Sequence, residues 1–250
     1  MELMYNMRLL FLYFKTIGFV YHIIGVGSLI FLFVKVLWLN DIQAPFYFMS
    51  KTSAAFEGVL GSIVASYIFY IFCIHPSLFK EKKTSALFVN LMLGKIIAVF
   101  GSYMNGVSNS LTSTATINEI RNEFSKIRPF QNNAPLTFGF SSNGQFLYAD
   151  WFEYFQYNND KMSETIRLLL DSRFSLDVEL INILNETFNC QWFTSVRQLS
   201  GLKNQLNKGT NPFFNPSNNA GQTCDDFYHL KELINKLALL KLETDPFIRK

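Results

Sequence analysis

The stretch from Ala54 to Ile74 constrains this 250-residue chain most strongly, because its twenty-one residues carry a single charge, Glu57. A helix rises about 1.5 Å per residue, so this stretch would be roughly 30 Å long, the thickness of a bilayer's hydrocarbon core. The dipeptide His75–Pro76 follows and predicts a helix break. A basic cluster comes next, made of three lysines: Lys80, Lys82 and Lys83. This order of features is typical of a membrane span that ends at a charged surface.

A second apolar stretch runs from Ile17 to Leu39, and its only ionisable side chains are His22 and Lys35. Its length also fits a bilayer. The connector from Asn40 to Ser53 is short and contains Pro45, which blocks a continuous helix. The predicted fold class is therefore mainly α, with a two-helix transmembrane hairpin (17–39 and 54–74) followed by a cytoplasmic α-helical domain.

The distribution of positive charge predicts how the hairpin is oriented. Arg8 and Lys15 flank one end of it and the three-lysine cluster flanks the other, whereas the connector has no net charge. Since Lys and Arg concentrate on the cytoplasmic side, both chain ends are expected in the cytoplasm. Residues 1–16 lack a signal-peptide cleavage pattern, so we interpret them as a cytoplasmic or interfacial lead-in helix.

Charge also separates a membrane part from a soluble part. Residues 1–75 hold four basic and three acidic residues, and residues 76–250 hold the other eighteen and sixteen. The net charge of residues 76–250 is therefore +2, which is too small to indicate direct nucleic-acid binding. Four parts are predicted. They are the lead-in (1–16), the hairpin (17–75), a basic collar with a juxtamembrane helix (76–104) and the cytoplasmic domain (105–250).

The segment from Ser85 to Tyr103 is apolar but interrupted by Asn90 and Lys95. Its larger apolar residues recur at helical spacing, which favours a juxtamembrane amphipathic helix that packs on the soluble domain or on the inner leaflet. A third membrane span is the alternative.

The remaining chain has the pattern of helices joined by loops. Ser163 is expected to cap a helix that reaches Asp171, and Ser175 or Asp177 to cap the next one. The Asn143–Gly144 pair lies between aromatic residues and is typical of a small β-hairpin.

Two charged side chains lie inside the predicted spans, and both fall near the same end of the hairpin. Lys35 is four residues from the end of the first span, and Glu57 is three residues from the start of the second. Because a charge in a span is costly unless it is paired or faces water, we expect the two to face one another or to line a polar seam. The open alternatives are a locking ion pair, snorkelling to the interface, and a gate or lining of an oligomeric pore.

Small residues mark one face of the second span and allow close helix packing. The predicted helix-packing face comprises Gly58, Gly61, Ser62, Ala65 and Ser66. Packing within one hairpin and self-assembly into a homo-oligomer both fit this pattern.

No catalytic constellation is recognisable. Cys190, Cys224 and His229 lack metal-binding spacing and are expected to be structural. His22 and His75 suggest a proton relay, against the simpler interpretation that they are structural. We therefore predict a protein that is not an enzyme, with no catalytic, cofactor-binding or metal-binding residues.

Three segments resemble bacterial two-span inner-membrane proteins of poorly defined function. The first is EGVLGSIVASYIFYIFCIHPSLFKEKK (Glu57–Lys83), in which S-I-x-A-S-Y-I-F-Y precedes a His-Pro dipeptide and a basic run. The others are FSLDVELINILNETFN (Phe174–Asn189) and DDFYHLKELINKL (Asp225–Leu237). Such proteins occur with anti-phage systems, including as effectors beside retrons. The resemblance implies a bacterial inner-membrane location and a defence role, and it supplies no catalytic residues.

Two functions follow as hypotheses. The first is an anti-phage effector, a toxin of the abortive-infection kind, held inactive by a cytoplasmic protein or ribonucleoprotein partner and able to disrupt the membrane once released. The second is a membrane-anchored sensor or binding module that is not an enzyme and whose helical domain binds a protein partner.

Overall fold

The computed structural model describes residues 2–38, 47–174, 176–214 and 222–244. The chain is mainly helical, which confirms the predicted fold class at that level. It divides into two compact units, residues 1–86 and residues 87–248.

The first unit is built of helices alone over its described residues. Its elements are α1 (Glu2–Lys15), α2 (Phe19–Leu37), α3 (Tyr47–Phe69), a π-helical turn (Tyr70–Ile74) and the start of α4 (His75–Val107). The second helical run starts at Tyr47, earlier than the predicted start at Ala54, while part of the predicted connector lies outside the described residues.

The predicted helix break at His75–Pro76 is wrong. The chain stays helical through this dipeptide, and the backbone N–H of His75 donates to the carbonyl of Tyr70, five residues back. Proline removes one donor and crowds the preceding turn of an α-helix. A π-helical turn lies directly before the dipeptide, and the chain remains helical on both sides of Pro76.

Within the described ranges, two helical runs are long and apolar enough to cross a membrane. They are Phe19–Leu37 and the continuous run Thr52–Val107. The second is longer than a bilayer is thick, so only part of it could cross one. In each run only 11% of the most apolar window is buried within the protein. The core helix of a soluble protein would bury most of that surface.

The second unit packs the later part of α4 with five more helices and a two-stranded ribbon. They are α5 (Ile117–Lys126), β1 (Thr137–Phe140), β2 (Phe146–Tyr148), α6 (Trp151–Leu170), α7 (Val178–Phe188), α8 (Gln191–Gly201) and α9 (Gln222–Thr244). Aromatic rings fill the centre, where Trp192 donates its indole N–H to the Tyr103 hydroxyl at 2.9 Å and to Asn159 Oδ1 at 3.1 Å.

The segment from Ser85 to Tyr103 forms no separate element. It lies within α4, and Leu93, Ile96 and Tyr103 are fully buried in the second unit. The boundary between units therefore falls between residues 86 and 87, whereas the sequence interpretation began the soluble domain at residue 105. The apolar stripe was predicted to pack on the soluble domain or on the inner leaflet, and it packs in the core of the second unit.

Local signals account for most helix starts in the second unit. Asp177 caps α7 as predicted, accepting from the N–H of Glu179. The predicted cap at Ser163 is wrong, because α6 begins twelve residues earlier and is capped by Asp150 in a reciprocal capping box with Glu153. The Asn143–Gly144 turn does join two antiparallel strands, with Gly144 at a φ of 78°.

Candidate functional site

Helices α2 and α3 pack antiparallel, and their contacts bring together the polar side chains of the apolar runs. Phe31 meets Phe56 edge to face at 5.7 Å, and Tyr21 stacks on Tyr70 at 5.4 Å. Gly25 lies directly against Tyr67, so that a Cβ added to the glycine would come within 2.3 Å of the ring. We call these two helices the α2–α3 pair.

The structure brings Lys35 and Glu57 together. Lys35 Nζ lies 2.9 Å from Glu57 Oε1 and donates to the carbonyl of Ser53 at 2.5 Å. The Lys35 side chain is 7% exposed and that of Glu57 is 37% exposed. This ammonium is therefore buried with two acceptors, as a charge in an apolar setting requires. The ion pair joins α2 to α3 near one end of the pair.

Breaking this ion pair should destabilise the α2–α3 pair. In Glu57→Gln the buried Lys35 loses its counter-charge, and breaking a buried pair costs about 3–5 kcal/mol. We expect the lower end of this range, because Glu57 is partly exposed. Replacing both partners, Lys35→Met with Glu57→Met, should restore most of the loss, since no charge is left unpaired.

SDS-induced unfolding in mixed micelles measures the free energies of unfolding of both variants against that of the wild type. A double variant less stable than Glu57→Gln would contradict this role of the pair, as would a single variant as stable as the wild type.

Two glycines of the predicted helix-packing face have open space beside them. Around Gly58 and Gly61 an added Cβ would meet nothing within 4 Å, in contrast to Gly25. Gly58, Ser62 and Ser66 are exposed and lie along an open groove of about 740 Å³. Ala65 is exposed and Gly61 is half-buried, and neither lines the groove.

Small residues and tyrosines together line the groove. The residues that line it are Tyr21, Ile24, Gly25, Ala55, Gly58, Val59, Ser62, Ile63, Ser66, Tyr67 and Tyr70. Ser62 donates its hydroxyl to the Gly58 carbonyl at 2.8 Å, so that this polar group is satisfied within its own helix. The groove therefore presents a shallow, mainly apolar surface on which a second helix could pack closely.

The two histidines tie α1 to the rest of the first unit. His22 Nδ1 lies 2.6 Å from the Tyr67 hydroxyl, and its Nε2 lies 3.0 Å from the carbonyl of Phe14. Because a carbonyl only accepts, Nε2 is the donor in its contact with Phe14. His75 is buried, with Nε2 3.1 Å from the carbonyl of Tyr13. Each imidazole has a structural contact with α1, which favours the structural interpretation over the proton relay.

The three lysines of the predicted basic cluster lie on α4. Lys80 and Lys82 are exposed, and Lys83 is half-buried. They follow Ile74, the end of the predicted span, by about two helical turns. The charged surface therefore begins within a continuous helix, without a preceding break.

The two cysteines of the second unit have thiols of low reactivity. Burial raises the pKa of the Cys190 thiol to about 11 and that of Cys224 to about 12. The Cys190 thiol contacts the carbonyl of Asp226, and that of Cys224 the carbonyl of Phe213. Across the described parts of the chain no three His, Cys, Asp or Glu side chains cluster to hold a metal ion.

We expect alkylating reagents to spare both thiols in the folded protein. Only the thiolate attacks, and a pKa raised to about 11 leaves roughly a thousandth of the thiol ionised at about pH 8. In a Cys73→Ser variant, mass spectrometry after maleimide treatment should find no label before denaturation and two labels after it. Rapid labelling of the folded protein would contradict the burial of these residues.

Comparison with protein-family models, with curated proteins and with solved structures found no match.

Sequence reasoning missed the tyrosines that line the groove and the partners of the histidines. A signal was present for the first, because Tyr70 follows Ser66 by four residues and Tyr67 by three, so that it shares a helix face with each of them. The histidine contacts join residues 45 to 62 positions apart, or involve a backbone carbonyl, and no local pattern encodes them.

Proposed function

We propose that this protein is an inner-membrane effector that self-associates through the groove of the α2–α3 pair and disrupts membrane integrity. The observation that carries the proposal is the open small-residue face of α3. Gly58, Ser62 and Ser66 line a groove that the described residues of the chain leave uncovered.

Physical chemistry favours another helix as the occupant of this groove. Lipid tails are as apolar as the side chains they would cover, so helix association in a membrane depends on close van der Waals packing. Glycine and serine at four-residue spacing let two backbones approach closely, and a glycine with open space beside it has room to accept such a neighbour. A homo-oligomer assembled this way would bring several Lys35–Glu57 pairs into one bilayer patch.

The membrane topology and the defence role of the proposed effector are inferred from two features of the sequence. They are the charge pattern and the resemblance to two-span inner-membrane proteins. Arg8, Lys15 and the three-lysine cluster support a transmembrane hairpin with both chain ends in the cytoplasm. The resemblance of Glu57–Lys83 to two-span proteins found with anti-phage systems supports a role in bacterial defence. The second unit would then bind the cytoplasmic protein or ribonucleoprotein partner that holds the effector inactive.

A membrane-anchored sensor or binding module is the second candidate. The closed Lys35–Glu57 ion pair and the two histidine contacts favour it, because they fasten the first unit into one arrangement. An anchor of this kind would not need to associate with itself. The state of association therefore separates the two candidates.

Disulfide cross-linking in bacterial membranes tests the proposal. In a Cys73→Ser background, Ala55→Cys places a thiol in the groove, and Val36→Cys places one at a similar level but outside it. We expect oxidant-induced dimers for Ala55→Cys and few for Val36→Cys. Adding Gly58→Leu should abolish the Ala55→Cys dimers, because leucine fills the groove.

The matched control is Gly27→Leu, which adds the same side chain where an added Cβ meets nothing within 4 Å, outside the groove. Dimers should persist in that variant. If Val36→Cys cross-links as well as Ala55→Cys, or if Gly58→Leu leaves the dimers intact, the groove is not the association surface.

A further inference from the structure

The carbonyl of Ile71, in the π-helical turn, receives no backbone donor from the described residues of its own helix. In an α-helix the N–H four residues on would donate to it, but the His75 N–H donates to the carbonyl of Tyr70 instead. In a π-helix the N–H five residues on would donate, but residue 76 is a proline and has none. Because Ile71 is buried, its carbonyl needs a donor from elsewhere in the protein.

Helix α1 supplies that donor from a distant part of the sequence. The Tyr13 hydroxyl donates to the Ile71 carbonyl. The same end of α1 also contacts the buried His75, whose Nε2 lies 3.0 Å from Thr16 Oγ1. The rings of Tyr13 and His75 meet edge to face at 4.7 Å. The end of α1 therefore packs on the π-helical turn and on the residue that follows it.

These contacts continue from α1 to the tyrosines of the groove. The carbonyl of Phe14 lies 3.0 Å from His22 Nε2, and His22 Nδ1 lies 2.6 Å from the Tyr67 hydroxyl. The ring of His75 lies 5.6 Å from that of Tyr70. Tyr67 and Tyr70 both line the groove. Each of these tyrosines therefore contacts a histidine that α1 also contacts.

We infer that α1 is a clamp on the π-helical turn, and that its docking holds the tyrosines of the groove in the position that admits a second helix. The Tyr13 hydroxyl replaces the donor that Pro76 lacks. Release of α1 would take this donor from the Ile71 carbonyl and separate both histidines from α1, so that the groove would lose its shape. The clamp depends only on contacts within the first unit, whereas its effect on association rests on the proposed function.

A double-mutant cycle between Tyr13→Phe and Pro76→Ala tests the clamp in the full-length protein. Phenylalanine removes only the hydroxyl. Alanine at residue 76 restores a backbone N–H, so the Ile71 carbonyl gains a donor four residues on if the turn becomes α-helical, or five residues on if it stays π-helical. SDS-induced unfolding in mixed micelles measures the unfolding equilibrium constant of the wild type, both single variants and the double variant.

We expect Tyr13→Phe to raise the unfolding equilibrium constant about tenfold in the wild-type background, because it leaves a buried carbonyl unsatisfied. In the Pro76→Ala background the same change should raise it much less. Tyr157→Phe is the control, since it removes a hydroxyl from a 48% exposed side chain of α6, and its effect should be small and equal in both backgrounds. Equal effects of Tyr13→Phe in both backgrounds would overturn the clamp.

Cross-linking through Ala55→Cys, in the Cys73→Ser background, tests the effect of the clamp on the groove. We expect fewer oxidant-induced dimers when Tyr13→Phe is added, and recovery of the dimers when Pro76→Ala is added as well. A coupled cycle with an unchanged dimer yield in Tyr13→Phe would overturn the control of the groove by α1. A coupled cycle with no dimers in any variant would instead overturn the proposed self-association and leave the clamp standing.

Discussion

Gly25→Leu should separate the two helices of the α2–α3 pair. At this position a Cβ would come within 2.3 Å of Tyr67 Cγ, the ring atom closest to the backbone. Neither the ring nor the α2 backbone can move aside without breaking the 2.6 Å contact between His22 and the Tyr67 hydroxyl. Overpacking typically costs about 1–3 kcal/mol, and we expect at least the upper end of this range.

The free energy of unfolding in SDS–detergent micelles measures this effect. Gly27→Leu is the control, because it adds the same side chain two residues away where an added Cβ would meet nothing within 4 Å. Its stability should stay close to that of the wild type. Equal losses in both variants would mean that helix flexibility, and not contact with Tyr67, decides the outcome.

Gly106→Ala should strongly destabilise the second unit. A Cβ at this position would come within 1.8 Å of the Tyr154 hydroxyl and 2.9 Å of the Pro135 ring. The Tyr154 hydroxyl is held by the carbonyl of Tyr103 at 3.1 Å in a buried setting. Relieving the clash would break that hydrogen bond, so we expect a loss of about 3 kcal/mol or more, combining overpacking with an unsatisfied hydroxyl.

Gly101→Ala is the matched control for Gly106→Ala, because it makes the same substitution in the same helix. An added Cβ at residue 101 meets nothing within 4 Å, and alanine favours a helix over glycine by about 0.8–1.0 kcal/mol. The two variants should therefore shift the thermal unfolding midpoint of the second unit in opposite directions. A shift of the same sign in both would contradict the close packing of α4 on Tyr154.

Sequence reasoning succeeded where short-range chemistry decides the structure. The cap at Asp177 and the turn at Asn143–Gly144 need only a few neighbouring residues, and both were predictable. The contact between Lys35 and Glu57 follows from counting residues from the two ends of an antiparallel pair. Each of these inferences depends on a spacing that is visible in the chain.

It failed where packing over long distances overrides a local signal. Pro76 predicts a break, but a π-helical turn precedes it and the helix continues through the dipeptide. Ser163 predicts a helix start, but buried residues on both sides of it belong to one continuous α6. The sequence also cannot distinguish Gly25, which packs against Tyr67, from Gly58, which faces open space.

Membrane potential during induced expression tests the central claim most directly. A potential-sensitive dye would be read in bacteria producing the wild type, Gly58→Leu or Gly27→Leu at matched levels in the membrane. We expect depolarisation by the wild type and by Gly27→Leu, and an intact potential with Gly58→Leu. An intact potential with the wild type, or equal depolarisation by Gly58→Leu, would contradict membrane disruption through the groove.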